Sequence, residues 1–376
     1  MYKNIINWVK NMEKLCLVFG GDSVENEISI LTALRVQKEL EKYSYSYMMV
    51  YLDHDGNFYS GESLLNKDNY KNKVKFKKGT FIKKNGTNYF QYGLRKEKFN
   101  LVLLLVHGKG AEDGTLGGYF DTLKIPCVYP GLINSALLQD KANFKRIMES
   151  MGIPQTKYEV LNYRDYLKVL EKNTFETKLS YPLIIKPSLL GSSIGVHKVE
   201  NEKELLEKLV DAFKYDEVVI IEEAVTNLKE INIALLRKNN EIICSSLERV
   251  NNEDKILSFI DKYDNYSLNE THIIPADIDN KIMKKIKYLS RKVYHELNLK
   301  SIVRFDYLLN EKTSKIYLNE INAIPGSISH YLFEADNILL IDLIEILVEQ
   351  YKLDFIHTKK LITKYYDGFI NNLKEK

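Results

Sequence analysis

Apolar runs and amphipathic stretches alternate along the first third of the chain. LCLVF (15–19) predicts a short buried strand and is followed by Gly20-Gly21. Residues 26–42 then place Ile28, Leu31, Leu34 and Val36 at helical spacing. NLVLLLVHG (100–108) predicts a long buried strand, again closed by glycine, and a helical pattern resumes at 116–124. Strand, glycine and helix in alternation predict a parallel α/β sheet. Between them, residues 55–99 are rich in Lys, Asn and Tyr and alternate weakly, which predicts small strands and loops.

The middle opens with one helix over 135–152, stopped by Gly152 and Pro154. YEVL (158–161), YPLIIKPS (181–188) and VVIIEEAV (218–225) predict strands, and 202–214 an amphipathic helix. Further strands are expected at EINIALL (230–236) and EIICSSLERV (241–250), then a polar loop over 251–272 and a basic helix over 279–298. SIVRFDYLL (301–309) and KIYLNEI (315–321) read as two strands joined by a polar turn, and 338–351 as a strongly apolar helix. The fold class is therefore α/β, with an α+β C-terminal part. Expected domains are 1–130, 131–224 and 225–376, consistent with 376 residues at about 150 per domain.

Composition narrows the classes. Fifty-four basic and 51 acidic residues leave a net charge of +3, without the basic excess of a nucleic-acid binder. Cys16, Cys127 and Cys244 are too scattered for a zinc site or disulfide framework, which fits a reducing cytoplasm. Residues 1–14 lack the apolar core of a signal peptide, and 1–12 read as an extension. No run reaches about 18 apolar residues, so no membrane span is expected.

Several segments carry chemistry. In VRFDYLL…KIYLNEINAIPG (303–326), alternation puts Arg304 and Asp306 on one strand face and Glu320 and Asn322 on one face of the next. Paired as a hairpin, the strands would gather three hard oxygen donors suited to Mg²⁺, completed by phosphate. The plain alternative is a wet hairpin edge. IIKPSLLGSSIGV (184–196) ends a buried strand on Lys186 before a Gly/Ser loop able to cover phosphates, or is a surface turn. Glu222, Glu223 and Glu230 follow a buried strand and could accept hydrogen bonds from an adenine amine or a ribose, or be a solvated charge run. GGDSVENEIS (20–29) sets Glu25 and Glu27 at a helix entry, with Ser23 as candidate N-cap. HGKGAEDGTLGG (107–118) is a glycine-rich loop at the carboxyl end of a strand, where α/β sheets bind ligands, and His107 is either a ligand contact or a packed histidine. Gly191–Gly195 matches the GxSxG of serine hydrolases, but the helix that elbow requires is not expected after it.

In order, GGDSVENEIS, HGKGAEDGT, ALLQDKANFK, KPSLLGSSIG, EE…E, DKY and RFDY…LNEINAIPG resemble the D-alanine–D-alanine ligase family of the ATP-grasp group over nearly all of residues 14–335. The resemblance implies a three-domain ATP-grasp fold and an ATP-dependent ligase that joins two D-amino acids through an acyl phosphate for peptidoglycan precursors. It implies that Lys141 and Lys186 hold ATP phosphates under a loop containing Ser192 and Ser193, with Glu222, Glu223 and Glu230 lining the adenosine pocket. Asp306, Glu320 and Asn322 would bind two Mg²⁺ or Mn²⁺. Glu25 would meet the first ammonium and His107 its carboxylate. Arg304 and the Gly326 N–H would face the oxyanion, and Lys262 and Tyr263 would belong to a lid, with Tyr263, Ser192 and Glu25 linked by hydrogen bonds. A homodimer is implied too. Two features depart from the family pattern. Glu222 and Glu230 stand one residue further apart than usual, and Tyr331 occupies the place of a serine that binds the second carboxylate. A D-serine acceptor, other carboxylate–amine ligases of the group, a serine hydrolase and a non-catalytic nucleotide binder are the alternatives.

Overall fold

The computed structural model describes residues 14–72, 75–191, 193–250, 272–358 and 361. They form three sheets. In the first, β1 (Leu15–Gly20) is followed by α1 (Asn26–Lys42), β2 (Tyr47–Leu52) and the antiparallel strands β3 (Phe58–Ser60), β4 (Lys77–Lys84), β5 (Thr87–Tyr92) and β6 (Arg95–Phe99). Then come β7 (Leu101–Leu104), α2 (Thr115–Thr122) and β8 (Cys127–Val128). The strand order is β6-β5-β4-β3-β2-β1-β7-β8, and only β2, β1, β7 and β8 run parallel. The sheet is thus mixed rather than wholly parallel. Residues 58–99 extend it as a meander, because connections as short as Asn85-Gly86, both at positive φ, can only reverse the chain. The expected strand 100–108 is also shorter: pairing stops at Leu104, and the chain leaves the sheet carrying His107 into the glycine-rich loop.

The expected helix 135–152 is two, α3 (Leu132–Gln139) and α4 (Lys141–Ser150). Asp140 is extended between them and accepts the Asn143 N–H at 3.1 Å, so Lys141 is the first residue of a capped helix. The second sheet is antiparallel, in the order β11-β10-β12-β9. Its elements are β9 (Tyr158–Asn162), α5 (Tyr163–Lys172), β10 (Leu183–Pro187), β11 (His197–Val199), α6 (Glu202–Ala212) and β12 (Val218–Glu223). The sequence pattern did not anticipate α5, which buries only Tyr166 and Val169. Asn162 caps it, and Tyr166 stacks on Phe213 at 4.1 Å between ring centroids. A strand, not a helix, follows the GxSxG match, so the hydrolase elbow is absent.

The third sheet has β13 (Leu228–Lys238), β14 (Glu241–Cys244), β15 (Glu248–Val250), β16 (His272–Ile273), α7 (Asn280–Glu296), β17 (Val303–Asn310) and β18 (Lys315–Asn322). It is followed by α8 (His330–Glu334) and α9 (Leu340–Thr358). The expected strand 241–250 splits into β14 and β15, each pairing with a different part of β13, while the Ser245 hydroxyl between them accepts the Ala234 N–H. Helix α9 explains its own apolarity: Leu343, Leu347 and Val348 share one core with Leu40 and Val36 of α1 and with Leu236 of β13. The first and third sheets are therefore fastened together. No helix among the described residues is long and apolar enough to cross a membrane, and the three cysteines are free thiols.

Asp140→Ala should lower the unfolding free energy by about 0.5–2 kcal/mol, read from urea titration. An unchanged midpoint would show that α3 and α4 do not depend on this cap.

Candidate functional site

Along β17 buried and half-buried residues alternate, so Val303, Phe305 and Tyr307 face the core while Arg304 and Asp306 face outward. The two strands pair as a hairpin, with Arg304 opposite Asn322 and Asp306 opposite Glu320. A bulge after Asp306 leaves Asn319 as an extra residue beside Glu320. Arg304 donates to both carboxylate oxygens of Asp306, at 2.7 and 2.8 Å, and the Asn322 amide donates to the same carboxylate at 2.8 Å. A bidentate arginine fixes the orientation of Asp306.

From the second sheet Lys186 reaches across to this hairpin, its Nζ 2.9 Å from Asn319 Oδ1. Glu222, on the neighbouring strand, forms an ion pair with Lys186. The other Glu222 oxygen accepts from Lys145 Nζ at 2.8 Å and from the Thr156 hydroxyl at 2.6 Å. Burial alone would raise the Glu222 carboxyl; Lys145 and Lys186 outweigh it and hold it well below the ordinary carboxylate range. Burial in turn lowers Lys145 despite Glu222. For Lys186 burial is again opposed by Glu222, and the ammonium is held above its ordinary value. Glu222, which lines the cleft, is therefore engaged by two lysines and the Thr156 hydroxyl. Lys141 donates to the Leu190 carbonyl at 2.6 Å, tying α4 to the 189–191 loop.

These groups line one cleft of about 290 Å³ between the second and third sheets. Lys141, Lys186, Ser193, Glu222, Glu223, Glu230, Arg304, Asp306, Glu320 and Tyr331 line it; Asn322 joins it through Asp306. Leu228, Ala224 and Val225 give an apolar wall beside Glu223 and Glu230. Residues that the sequence did not single out are Asn319, Asn232, Glu248, His272, Lys145 and Thr156. Asn319 comes from the bulge, which no alternation rule shows. Glu248 falls where a strand unexpectedly breaks, and His272 follows the polar segment. The expected lid residues Lys262 and Tyr263, and Ser192, lie outside the described residues.

Glu25 and His107 are not among the residues lining the cleft but lie beside it at the glycine-rich loop, Glu25 Oε1 standing 4.0 Å from where a Cβ on Gly191 would be. A Cβ on Gly108, at φ +79°, would come within 2.7 Å of the Ser23 hydroxyl and 3.2 Å of Glu25 Oε2. Ser23 does not cap α1, as had been expected; its hydroxyl donates to the His107 carbonyl at 2.8 Å. His107 is 1% exposed, with Nδ1 3.0 Å from the Ile324 carbonyl and Nε2 3.2 Å from the Thr32 hydroxyl. A carbonyl can only accept, so Nδ1 carries the proton and Nε2 accepts. Burial pushes its pKa down, partly offset by Glu25. Both nitrogens are used, which makes it a packed histidine that clamps the first sheet to the 323–326 turn. Glu112, in the same loop, is pushed up to about 8 by burial, Glu25 and Glu320. Gly326 opens a turn after Pro325 in which Ser327, Ile328 and Ser329 all take positive φ, and it is not among the residues lining the cleft.

Among the described residues no group of three His, Cys, Asp or Glu side chains is placed to hold a metal ion by itself. Two carboxylates and an amide instead fit a hard cation that takes its remaining oxygens from phosphate.

A lysine held by a buried acid faces an acidic hairpin across a cleft between two antiparallel sheets, an arrangement consistent with an ATP-grasp ligase. The comparisons agree. The sequence profile described as D-ala D-ala ligase N-terminus matches residues 14–130, and that described as D-ala D-ala ligase C-terminus matches residues 147–349. D-alanine–D-alanine ligase of Thermosipho melanesiensis is 32% identical over 360 residues, covering 94% of this chain and 97% of that one. The Clostridium novyi ligase is 32% identical over 349 residues, covering 90% and 98%. Among solved structures, D-alanine–D-alanine ligase from Helicobacter pylori superposes with a TM-score of 0.71 at 29% identity, covering 89% and 98%. VanG D-Ala:D-Ser ligase from Enterococcus faecalis gives 0.76 at 26% identity, covering 90% and 99%. The chain belongs to the D-alanine–D-alanine ligase family.

The folded pKa of Glu222 lies below its unfolded value, so its contribution to stability is present above about pH 5 and is lost as the pH falls towards the folded pKa. Glu222→Gln should cost about 3–5 kcal/mol at neutral pH and flatten the loss of urea midpoint between about pH 5 and pH 3. An equally steep acid limb in the variant would contradict the pairing.

Proposed function

We propose that the protein joins two D-amino acids, with D-alanine as donor and acceptor, using ATP and releasing ADP and phosphate. The observation that carries this is the 2.9 Å contact of Lys186 with Asn319, which brings the phosphate lysine against the Asp306–Glu320 pair. A carboxylate is a poor electrophile; phosphorylation turns it into an acyl phosphate with a good leaving group. Lys141 and Lys186 bind and orient the phosphates from one side of the cleft. Asp306, Glu320 and Asn322 would hold magnesium or manganese, which when bound supplies positive charge to the phosphate oxygens. Glu223 and Glu230 lie beside the apolar wall where adenosine fits. Arg304, held by Asp306, presents its positive charge to the oxyanion that forms when the amine attacks. Glu25 supplies the negative charge for the donor's ammonium. Segments 131–224 and 225–376 would clasp the nucleotide, 1–130 would bring the donor site, and the active form would be a homodimer in the cytoplasm serving cell-wall precursor synthesis.

One observation keeps a D-serine acceptor as the second reading. Tyr331 lines the cleft with its hydroxyl 3.3 Å from Glu248 Oε2, placing a polar, hydrogen-bonding wall at the acceptor end. Burial and Glu248 push the phenol up, so it remains protonated and able to donate.

ADP release should depend on D-alanine, with the dipeptide identified by mass, and a D-serine arm decides the acceptor. Glu320→Gln should abolish ADP formation with little change in melting temperature, and Arg304→Ala should lower kcat by about 10²–10³. Full turnover in Glu320→Gln would contradict the phosphate-site assignment.

A further inference from the structure

We infer that His272, held by Glu248, takes the proton from the acceptor's ammonium before the amine attacks; this rests on the ligase activity proposed above. The strand register carries one polar row across the third sheet. Glu320 stands opposite Asp306, Asp306 opposite Asn232, and Asn232 opposite Glu248. Phosphate and metal chemistry accounts for the first two, and nothing in it needs the last. Yet Glu248 is a carboxylate only 1% exposed, fixed by the Asn232 amide at 2.8 Å, the Tyr331 hydroxyl at 3.3 Å and His272 Nδ1 at 2.6 Å. Burial would raise its pKa; hydrogen bonds from His272 and Asn232 and the charge of Arg304 hold it low instead.

A carboxylate accepts from Nδ1–H, so neutral His272 keeps its lone pair on Nε2. Among the described residues nothing hydrogen-bonds Nε2, and His272 is the one histidine lining the cleft. Charged and titratable groups lining the same cleft as the pair include Arg304 and Asp306 of β17, Tyr331 of α8, Glu230 of β13, Glu320 of β18 and Lys186 of β10. The Arg249–Asp277 ion pair, at 2.9 Å, belongs to the opposite face of β15.

The acceptor arrives as a zwitterion, and only its neutral amine is a nucleophile. One ammonium proton passes to Nε2, giving an imidazolium stabilised by Glu248. The freed lone pair forms the C–N bond at the acyl carbon. The C–O bond to the phosphoryl group then breaks, phosphate leaves with that electron pair, and it takes the second proton from nitrogen.

The test compares the full-length wild type with His272→Asn, whose amide replaces Nδ1 against Glu248 but cannot take a proton. D-alanine is the donor in both, and the acceptor is either D-alanine or hydroxylamine, which is largely uncharged at neutral pH. Dipeptide formation should fall by about a hundredfold or more, while hydroxamate formation stays within about twofold. The variant's dipeptide rate should climb about tenfold per pH unit where the wild type has levelled off. Glu248→Gln, which removes the carboxylate that accepts from Nδ1–H, should also lower dipeptide formation while hydroxamate formation stays within about twofold. Equal losses with both acceptors, or unchanged dipeptide formation, would overturn the role. A wild type that makes neither product would overturn the ligase activity itself.

Discussion

Glu222 is the charge on which the cleft depends. Its side chain is 2% exposed, and it is held between Lys145 of α4 and Lys186 of β10. A buried carboxylate is costly unless its lone pairs are filled, and here Thr156 and the two ammonium groups fill them. The same contacts fix α4 against the second sheet and keep Lys186 charged and aimed across the gap at Asn319. Removing the acid would leave two lysines crowded together without a counter-charge, so fold stability and the aim of Lys186 share one interaction.

The opposite wall is organised by register. Two-residue alternation on β13, β15, β17 and β18 brings Asn232, Glu248, Asp306 and Glu320 to one face, and the bidentate Arg304 fixes the middle of that row. A shift of one residue on any of these strands would send its polar side chains into the core. The bulge after Asp306 is the exception that serves the site, because it adds Asn319 to the wall facing Lys186. Helix α9 and His107 hold the first sheet against this assembly, which sets Glu25 and the glycine-rich loop beside the cleft.

What the sequence disclosed and what it hid have physical reasons. Helix α1 and the 303–322 hairpin carry strong periods of their own, so periodicity located them and put Asp306 on a face with Arg304 and Glu320 on a face with Asn322, while the register that sets Asp306 opposite Glu320 came only with the structure. The break at Asp140 was hidden because apolar residues continue at helical spacing on both sides of it. The meander of 58–99 was hidden because its strands are half-exposed and lysine-rich, as in β4. Glu222 stood out as an acid after a buried strand, but its partners Lys145 and Thr156 are distant in sequence, and no local pattern links them. His107 was open in sequence between a ligand contact and a packed histidine; only the structure shows both ring nitrogens engaged. Glu248 and His272 are ordinary polar residues in sequence and become a pair only when β15 and β16 are set side by side.

The most direct test of the central claim is a crystal structure with a non-hydrolysable ATP analogue. The account predicts its terminal phosphates between Lys186 and the Asp306–Glu320 pair, with adenine against Leu228. A nucleotide bound away from this cleft, or phosphates out of reach of Lys186, would contradict it.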